Sequence, residues 1–276
     1  METRRPRRAG HRRRPPDPRR HQGPRGAVAH RAAREDRLTR TGPRVSAFAG
    51  PGTGGAVSGG RDQRFKLFFP RPGQPGPLVP RGEDWFAHWR AMDPSTRGVM
   101  RTYTVSDQRP GEFDVEFALH PGGGPAIQWA GRVRAGDRLV ALGPTVADNG
   151  GVDFRPPGDT EWVLLAGDET ALPALAAIRA WIGDDLPVYC YVAAEPDRCP
   201  ALAGAVRCDG DLLTPIRGAA LPAGTPYAWI AGESGEIRAL RRHLVQDRGF
   251  PKPRVMFTGY WRRGATEDDL IAESVA

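Results

Sequence analysis

Near residue 157 the texture of the chain changes, and no other feature limits its possible folds as strongly. Up to Pro156-Pro157-Gly158 the apolar residues come in short runs broken by glycine and proline. Beyond that point the apolar runs are unbroken: Trp162 to Ala166, Val188 to Ala193 and Tyr227 to Ala231, with Arg254 to Trp261 as the last strand. Helical stretches, Ala171 to Ile182 and Ser234 to Gln246, lie between them. Continuous apolar strands alternating with helices belong to a parallel sheet covered on both faces. Short strands with one small helix fit a closed barrel better than an open sheet. A chain of 276 residues has room for both, each with its own core. The sequence therefore predicts a β-barrel domain over 41–157 and an α/β domain over 158–276, after a tail over 1–40.

In the first half, Phe65 to Pro70 is the first convincing strand, followed by a surface loop from Arg71 to Gly82. Val99 to Val105 and Phe113 to Leu119 read as strands, with Asp107 to Gly111 as the turn between them. Phe113, Val115, Phe117 and Leu119 alternate with Asp114, Glu116 and Ala118, the period-2 pattern of a half-buried strand. Gly122-Gly123-Gly124-Pro125 leads into a helix over Ala126 to Val133, and Arg138 to Leu142 is a further strand.

The formal charge of +8 suggests a nucleic-acid partner until it is located. Residues 1–40 hold 14 Arg against Glu2, Asp17, Glu35 and Asp36, a net of +10, so the other 236 residues carry −2. The tail is rich in Arg, Pro and Gly without apolar periodicity, which is the composition of a disordered segment. A basic arm for nucleic acid or anionic lipid is the alternative; the near-neutral remainder argues against a nucleic-acid partner. No apolar stretch follows the arginines as in a secretory signal, and no run reaches the roughly 18 residues of a membrane span. Membrane insertion is not expected. Cys190, Cys199 and Cys208 are odd in number and lack the close pairing of zinc or iron–sulfur ligands. Reduced thiols in a cytoplasmic protein are the simpler expectation.

Two segments carry chemistry. In Arg101-Thr102-Tyr103-Thr104, Tyr103 can stack on a flat ring, Thr104 can bond its polar edge, and Arg101 offers a planar fork to phosphate. Strand alternation puts Arg101 and Tyr103 on one side and Thr102 and Thr104 on the other. A polar-rimmed strand with no ligand is the plainer alternative. The glycines before Ala126 would bring backbone N–H groups and a helix N-terminus to a pyrophosphate; a turn that only redirects the chain is again the alternative. His120 alone reads as a strand-end residue and Trp129 alone as core. The second segment, Gly167-Asp168-Glu169-Thr170-Ala171-Leu172-Pro173, has the shape of a strand-to-helix turn with Thr170 near the N-cap. It lacks the three-glycine dinucleotide fingerprint, and its two carboxylates would repel phosphate unless they face ribose or flavin. Ala231-Gly232-Glu233 ends a later strand on the same carboxyl edge. Glu233 serves equally as a helix-start carboxylate.

Four motifs in series, Arg101-Thr-Tyr-Thr104, His120-Pro-Gly-Gly-Gly-Pro-Ala-Ile-Gln-Trp-Ala130, Gly167 to Pro173 and Gly259-Tyr-Trp-Arg262, resemble the siderophore-interacting proteins. These are flavin-dependent ferric-siderophore reductases of the ferredoxin-reductase-like superfamily. The resemblance runs from about Thr41 to Gly264. It implies a six-stranded antiparallel barrel that holds FAD, then a nucleotide-binding α/β domain taking NADH or NADPH. The cofactor contacts it implies are Arg101, Tyr103, Thr104, Val105, His120, Gly124, Pro125, Ala126, Ile127, Trp129, Asp168, Thr170, Ala171, Glu233 and Trp261. Lys66 and Arg262 would face an anionic ferric siderophore. The family usually has Arg where Ser106 stands and Ser where Ile127 stands, which removes two polar cofactor contacts. The start of the first barrel strand is not recognisable before residue 40. Two rivals remain: a general flavin- or ferredoxin-dependent oxidoreductase on the same scaffold, and a non-catalytic binder of ferric chelates.

Overall fold

The computed structural model describes residues 57–119, 123–195, 202, 204–266, 268, 269 and 273, together with three strands before residue 50. The first half contains β1 (Ala27–Ala32), β2 (Arg44–Val45), β3 (Phe48–Ala49), β4 (Arg64–Phe69), α1 (Trp85–Ala91), β5 (Val99–Thr104), β6 (Asp107–Arg109), β7 (Glu112–Glu116), α2 (Pro125–Ala130) and β8 (Arg138–Leu142). Two antiparallel sheets result, ordered β3-β1-β8-β4-β5 and β2-β7-β6. Only two residues separate β2 from β3 and β5 from β6, and Ser106 N donates to Asp114 O at 3.0 Å. Taken as two bent strands, these pairs link the sheets into a ring of six, the expected barrel.

The expectation of a structureless segment over 1–40 fails for Ala27–Ala32, which pairs with β8 from Ala27↔Leu142 to Arg31↔Arg138. With β4 on one side, β8 needs a partner for its other row of N–H and C=O groups, and this short run supplies it. The first barrel strand thus lies among the arginines. The rest of the predicted tail is outside the described residues. Asp107–Arg109 is also strand rather than turn, and the chain reverses at Pro110-Gly111, where Gly111 adopts φ +76°. The barrel core gathers Phe65, Leu67 and Phe69 from β4 with Val115 and Phe117, and α2 closes it with Ala126 and Trp129.

The second half contains β9 (Trp162–Asp168), α3 (Leu172–Ile182), β10 (Val188–Ala193), β11 (Val206–Arg207), α4 (Leu213–Gly218), β12 (Pro226–Glu233), α5 (Ser234–Arg242) and β13 (Val255–Trp261). All four sheet pairings are parallel, in the order β11-β10-β9-β12-β13. β9 is buried along its apolar run, and separate cores form on the two faces of the sheet. This is the doubly covered arrangement predicted by the unbroken apolar strands. Among the described residues no helix is long and apolar enough to cross a membrane.

Candidate functional site

Arg101, Tyr103 and Thr104 lie on β5, in register with Leu67, Phe65 and Arg64 of β4. The register keeps the predicted alternation. Tyr103 packs on the barrel core with its ring 4.6 Å from that of Phe117, tilted by 50°, and stays half-buried. Thr104, on the other face, is buried. Val105 donates its N–H to Gln63 O at 2.9 Å and packs against the same core.

The structure brings α2 to this strand. Ala126 and Trp129 are buried in the cluster that Tyr103 joins, and Ile127 packs against it. Trp129 is 5.4 Å from Phe69, so the reading of it as core holds. Gly124 is the N-cap, Pro125 begins the helix, and a Cβ added to Gly124 would meet nothing within 4 Å. A Cβ at Gly123 would sit 2.5 Å from Ile127 Cγ2, so the close turn requires glycine there. First-turn N–H groups have no acceptor within their own helix, so this end can offer donors to a ligand. His120 lies outside the described residues.

A second group assembles where β9, β12 and β13 end, on the carboxyl edge of the parallel sheet. Asp168 Oδ1 accepts from Thr170 N at 2.9 Å and Thr170 Oγ1 at 2.5 Å. Asp168 Oδ2 accepts from Glu233 N at 2.9 Å and Trp261 Nε1 at 2.7 Å. One carboxylate therefore ties three strand ends together. Gly232, with φ +150°, leaves room for it, since a Cβ there would stand 2.6 Å from Asp168 Oδ2. Ala171 is buried under Gly167, whose own Cβ would come within 2.6 Å of it.

Glu233 caps α5. Its Oε2 accepts from Gly235 N and Glu236 N at 2.7 and 2.9 Å, and its Oε1 from Arg263 N at 3.2 Å. Burial pushes its carboxyl up, but the N–H groups of Glu236, Arg263 and Gly235 outweigh that and hold it below the usual value. Of its two predicted roles, the structure shows the helix-start one.

The two groups meet at Tyr260, which buries its hydroxyl beside Arg64 and Thr104. Burial pushes this phenol well above its ordinary value. Lys66 Nζ donates to Thr102 Oγ1 at 2.5 Å, and Arg262 forks onto Glu273 at 2.5 and 2.7 Å. The two predicted substrate-binding cations are thus engaged by different partners. Sequence reasoning did not find the polar cluster of Asp62, Arg64 and Asp153 under this junction, where Arg64 Nη2 is 2.6 Å from Asp153 Oδ2. Asp153 lies some ninety residues from the other two, and it alone, between Val152 and Phe154, stands out as a charge with apolar neighbours. Cys190 and Cys208 are buried, Cys199 lies outside the described residues, and no metal-ligating cluster occurs among the described residues.

Comparison with known proteins places this geometry. Residues 37–148 match the siderophore-interacting FAD-binding domain, and residues 160–264 match the siderophore-interacting protein model. The chain belongs to the siderophore-interacting protein family. Among its relatives, a ferric vibriobactin reductase, ViuB, of Vibrio cholerae is 27% identical over 74% of this chain and 78% of its own length. The mycobactin import ATP-binding/permease protein IrtA of Mycolicibacterium smegmatis is 32% identical over 65% of this chain, but this chain spans only 22% of it. The crystal structure of a siderophore utilization protein from T. fusca superposes with a TM-score of 0.72 at 28% identity, covering 87% of this chain and 94% of that one. The FAD that this family implies suits the residues present. Tyr103 offers a half-buried ring, Gly124 leaves open space at a helix start, and Arg101 stands on the same strand.

Proposed function

We propose that this siderophore-interacting protein is an FAD-dependent reductase that carries electrons from NADH or NADPH to Fe(III) in a ferric siderophore, releasing Fe(II) in the cytoplasm. The observation that carries the reading is the meeting of β5 and α2: Tyr103, Ala126, Ile127 and Trp129 share one cluster beside a glycine-rich helix start. The name of the Vibrio cholerae relative, a ferric vibriobactin reductase, supports the substrate class.

FAD, when bound, supplies the conversion of a two-electron donor into single electrons, which amino-acid side chains cannot perform. The chain's residues bind and position. Tyr103 supports the ring, Thr104 and Val105 line its polar edge, and Arg101 with the Gly124–Ile127 turn holds the phosphates. Asp168, Thr170, Ala171, Glu233 and Trp261 form the edge that receives the nicotinamide nucleotide. The carboxylates there hold backbone N–H groups in place rather than bind phosphate, since each is already engaged with donors. Lys66 and Arg262 draw an anionic chelate toward the junction. No general base is needed, because neither hydride donation by the nicotinamide nor electron transfer to iron requires a proton to be abstracted from carbon. Fe(II), less charged than Fe(III), is held less tightly by hard oxygen ligands and leaves.

An absorbance spectrum tests the reading. The purified protein, or the protein after addition of FAD, should be yellow and should bleach anaerobically with NADH or NADPH. It should then recover colour on addition of a ferric siderophore. A folded, colourless protein that ignores added FAD would overturn it. Faster recovery with free quinones than with ferric chelates would assign it to the general reductases.

A further inference from the structure

The arginines of the proposed site are already paired, and their partners come from one stretch near the C-terminus. Arg101 Nη1 lies 3.3 Å from Asp268 Oδ2, and Arg97 Nη2 lies 3.9 Å from Asp268 Oδ1. Arg262 makes its two-pronged contact with Glu273. Local structure holds the stretch in place. After the turn at Gly264, with φ +76°, Thr266 N donates to Asp269 Oδ2 at 2.7 Å and Asp269 N donates back to Thr266 Oγ1 at 3.2 Å. This reciprocal pair is a capping box, with Asp268 and Asp269 in the helical turn it opens and Glu273 further along.

We propose that this acidic C-terminal segment is an internal anion that occupies Arg101 and Arg262 until an anionic ligand displaces it. The inference rests on the cofactor reading of Arg101. A phosphate approaching Arg101 would compete with the Asp268 carboxylate for the same guanidinium, and the two anions would repel each other. An anionic chelate approaching Arg262 faces the same choice against Glu273. The pairs are strong enough to close and weak enough to open. Their side chains are 15% and 34% exposed for Arg101 and Asp268, and 33% and 57% for Arg262 and Glu273. Ion pairs of this exposure contribute little singly and are screened by salt. Together they favour the closed form by a factor of about ten, which lowers the apparent affinity for a displacing ligand by that same factor.

The test is titration of the full-length apo-protein with FAD, followed by quenching of flavin fluorescence, for the wild type and for Asp268→Asn/Glu273→Gln. The double variant should bind FAD about tenfold more tightly at low salt, and the difference should vanish near 0.5 M salt, roughly where screening is complete over a few Å. Equal dissociation constants at low salt would overturn this proposal alone. If neither protein binds FAD, the cofactor reading falls with it. Limited trypsin digestion gives an independent readout. Cleavage after Arg262 and Arg263 should quicken when FAD is added to the wild type, and a rate unchanged by FAD would count against displacement.

Discussion

Trp229 Nε1, in the parallel sheet, donates to Asp62 Oδ2 at 2.9 Å, in the loop that leads into barrel strand β4. Asp62 is 1% exposed and also accepts from Asp153 N at 3.1 Å and Phe154 N at 3.0 Å, in the segment that joins the two halves of the chain. Beside it, Arg61 adopts φ +55°, reaches the carbonyls of Gly59 and Phe154, and lies 5.2 Å above the Trp181 ring of α3. A site shared by the barrel and the parallel sheet needs the two held in one relation, and these neighbouring residues hold them.

Asp62→Ala leaves three donors without an acceptor, two of them fully buried. At about 1–3 kcal/mol each, with partial rescue by water, the expected loss is about 3–5 kcal/mol. Asp62→Asn keeps one carbonyl oxygen and should fall between the variant and the wild type. Urea denaturation followed by tryptophan fluorescence measures this, and a loss below about 1 kcal/mol would show that this carboxylate is not what joins the halves.

In the proposed function Tyr103 contributes its ring, so Tyr103→Phe should bind FAD within about threefold of the wild type, while Tyr103→Ala should weaken binding about tenfold or more. Flavin-fluorescence titration separates the two. Equal weakening by both substitutions would assign the contact to the hydroxyl.

Gly232 is a position on the sheet edge that tolerates change poorly. An alanine there must adopt φ near +150° and place its Cβ 2.6 Å from Asp168 Oδ2. The strain costs about 1–3 kcal/mol, and Asp168 must release Glu233 N or Trp261. The KM for NADH or NADPH should rise while bound FAD is unchanged. Unaltered steady-state kinetics would dissociate this edge from nucleotide binding.

The parallel half was legible because its strands carry their own signature: every residue from Trp162 to Ala166 is buried, so the run has no polar interruption to misread. The Arg101-Thr-Tyr-Thr104 strand was legible because its cross-strand neighbours alternate with it. Ala27–Ala32 was hidden among arginines, since it pairs with β8, far along the chain, and no local pattern marks it. Helix α1 was missed although Trp85 and Trp89 lie one turn apart, both packed on Phe68, because only seven residues carry the period. Asp62 and the partners of Arg101 and Arg262 were out of reach, because the pairs span from 11 to 167 residues and no local pattern encodes them.

Glu236 supplies a pH-dependent test of the same edge. Its carboxyl is pushed above its ordinary value of 4.5, first by burial and then by the charges of Asp168, Asp211 and Glu233, although Leu212 N donates to it at 2.6 Å and opposes the shift. The folded protein therefore holds this proton to higher pH than the unfolded chain does. Stability is lost as pH rises from about 4.5 toward the raised value and is constant above it. Glu236→Gln keeps an oxygen for Leu212 N and carries no charge at any pH. The variant and the wild type should denature at the same urea concentration near pH 4, and the variant should become the more stable as pH approaches 7. A gap that stays constant from pH 4 to 7 would mean that this carboxyl is ionised in the folded protein as readily as in the unfolded chain, and that the neighbouring carboxylates do not act on it.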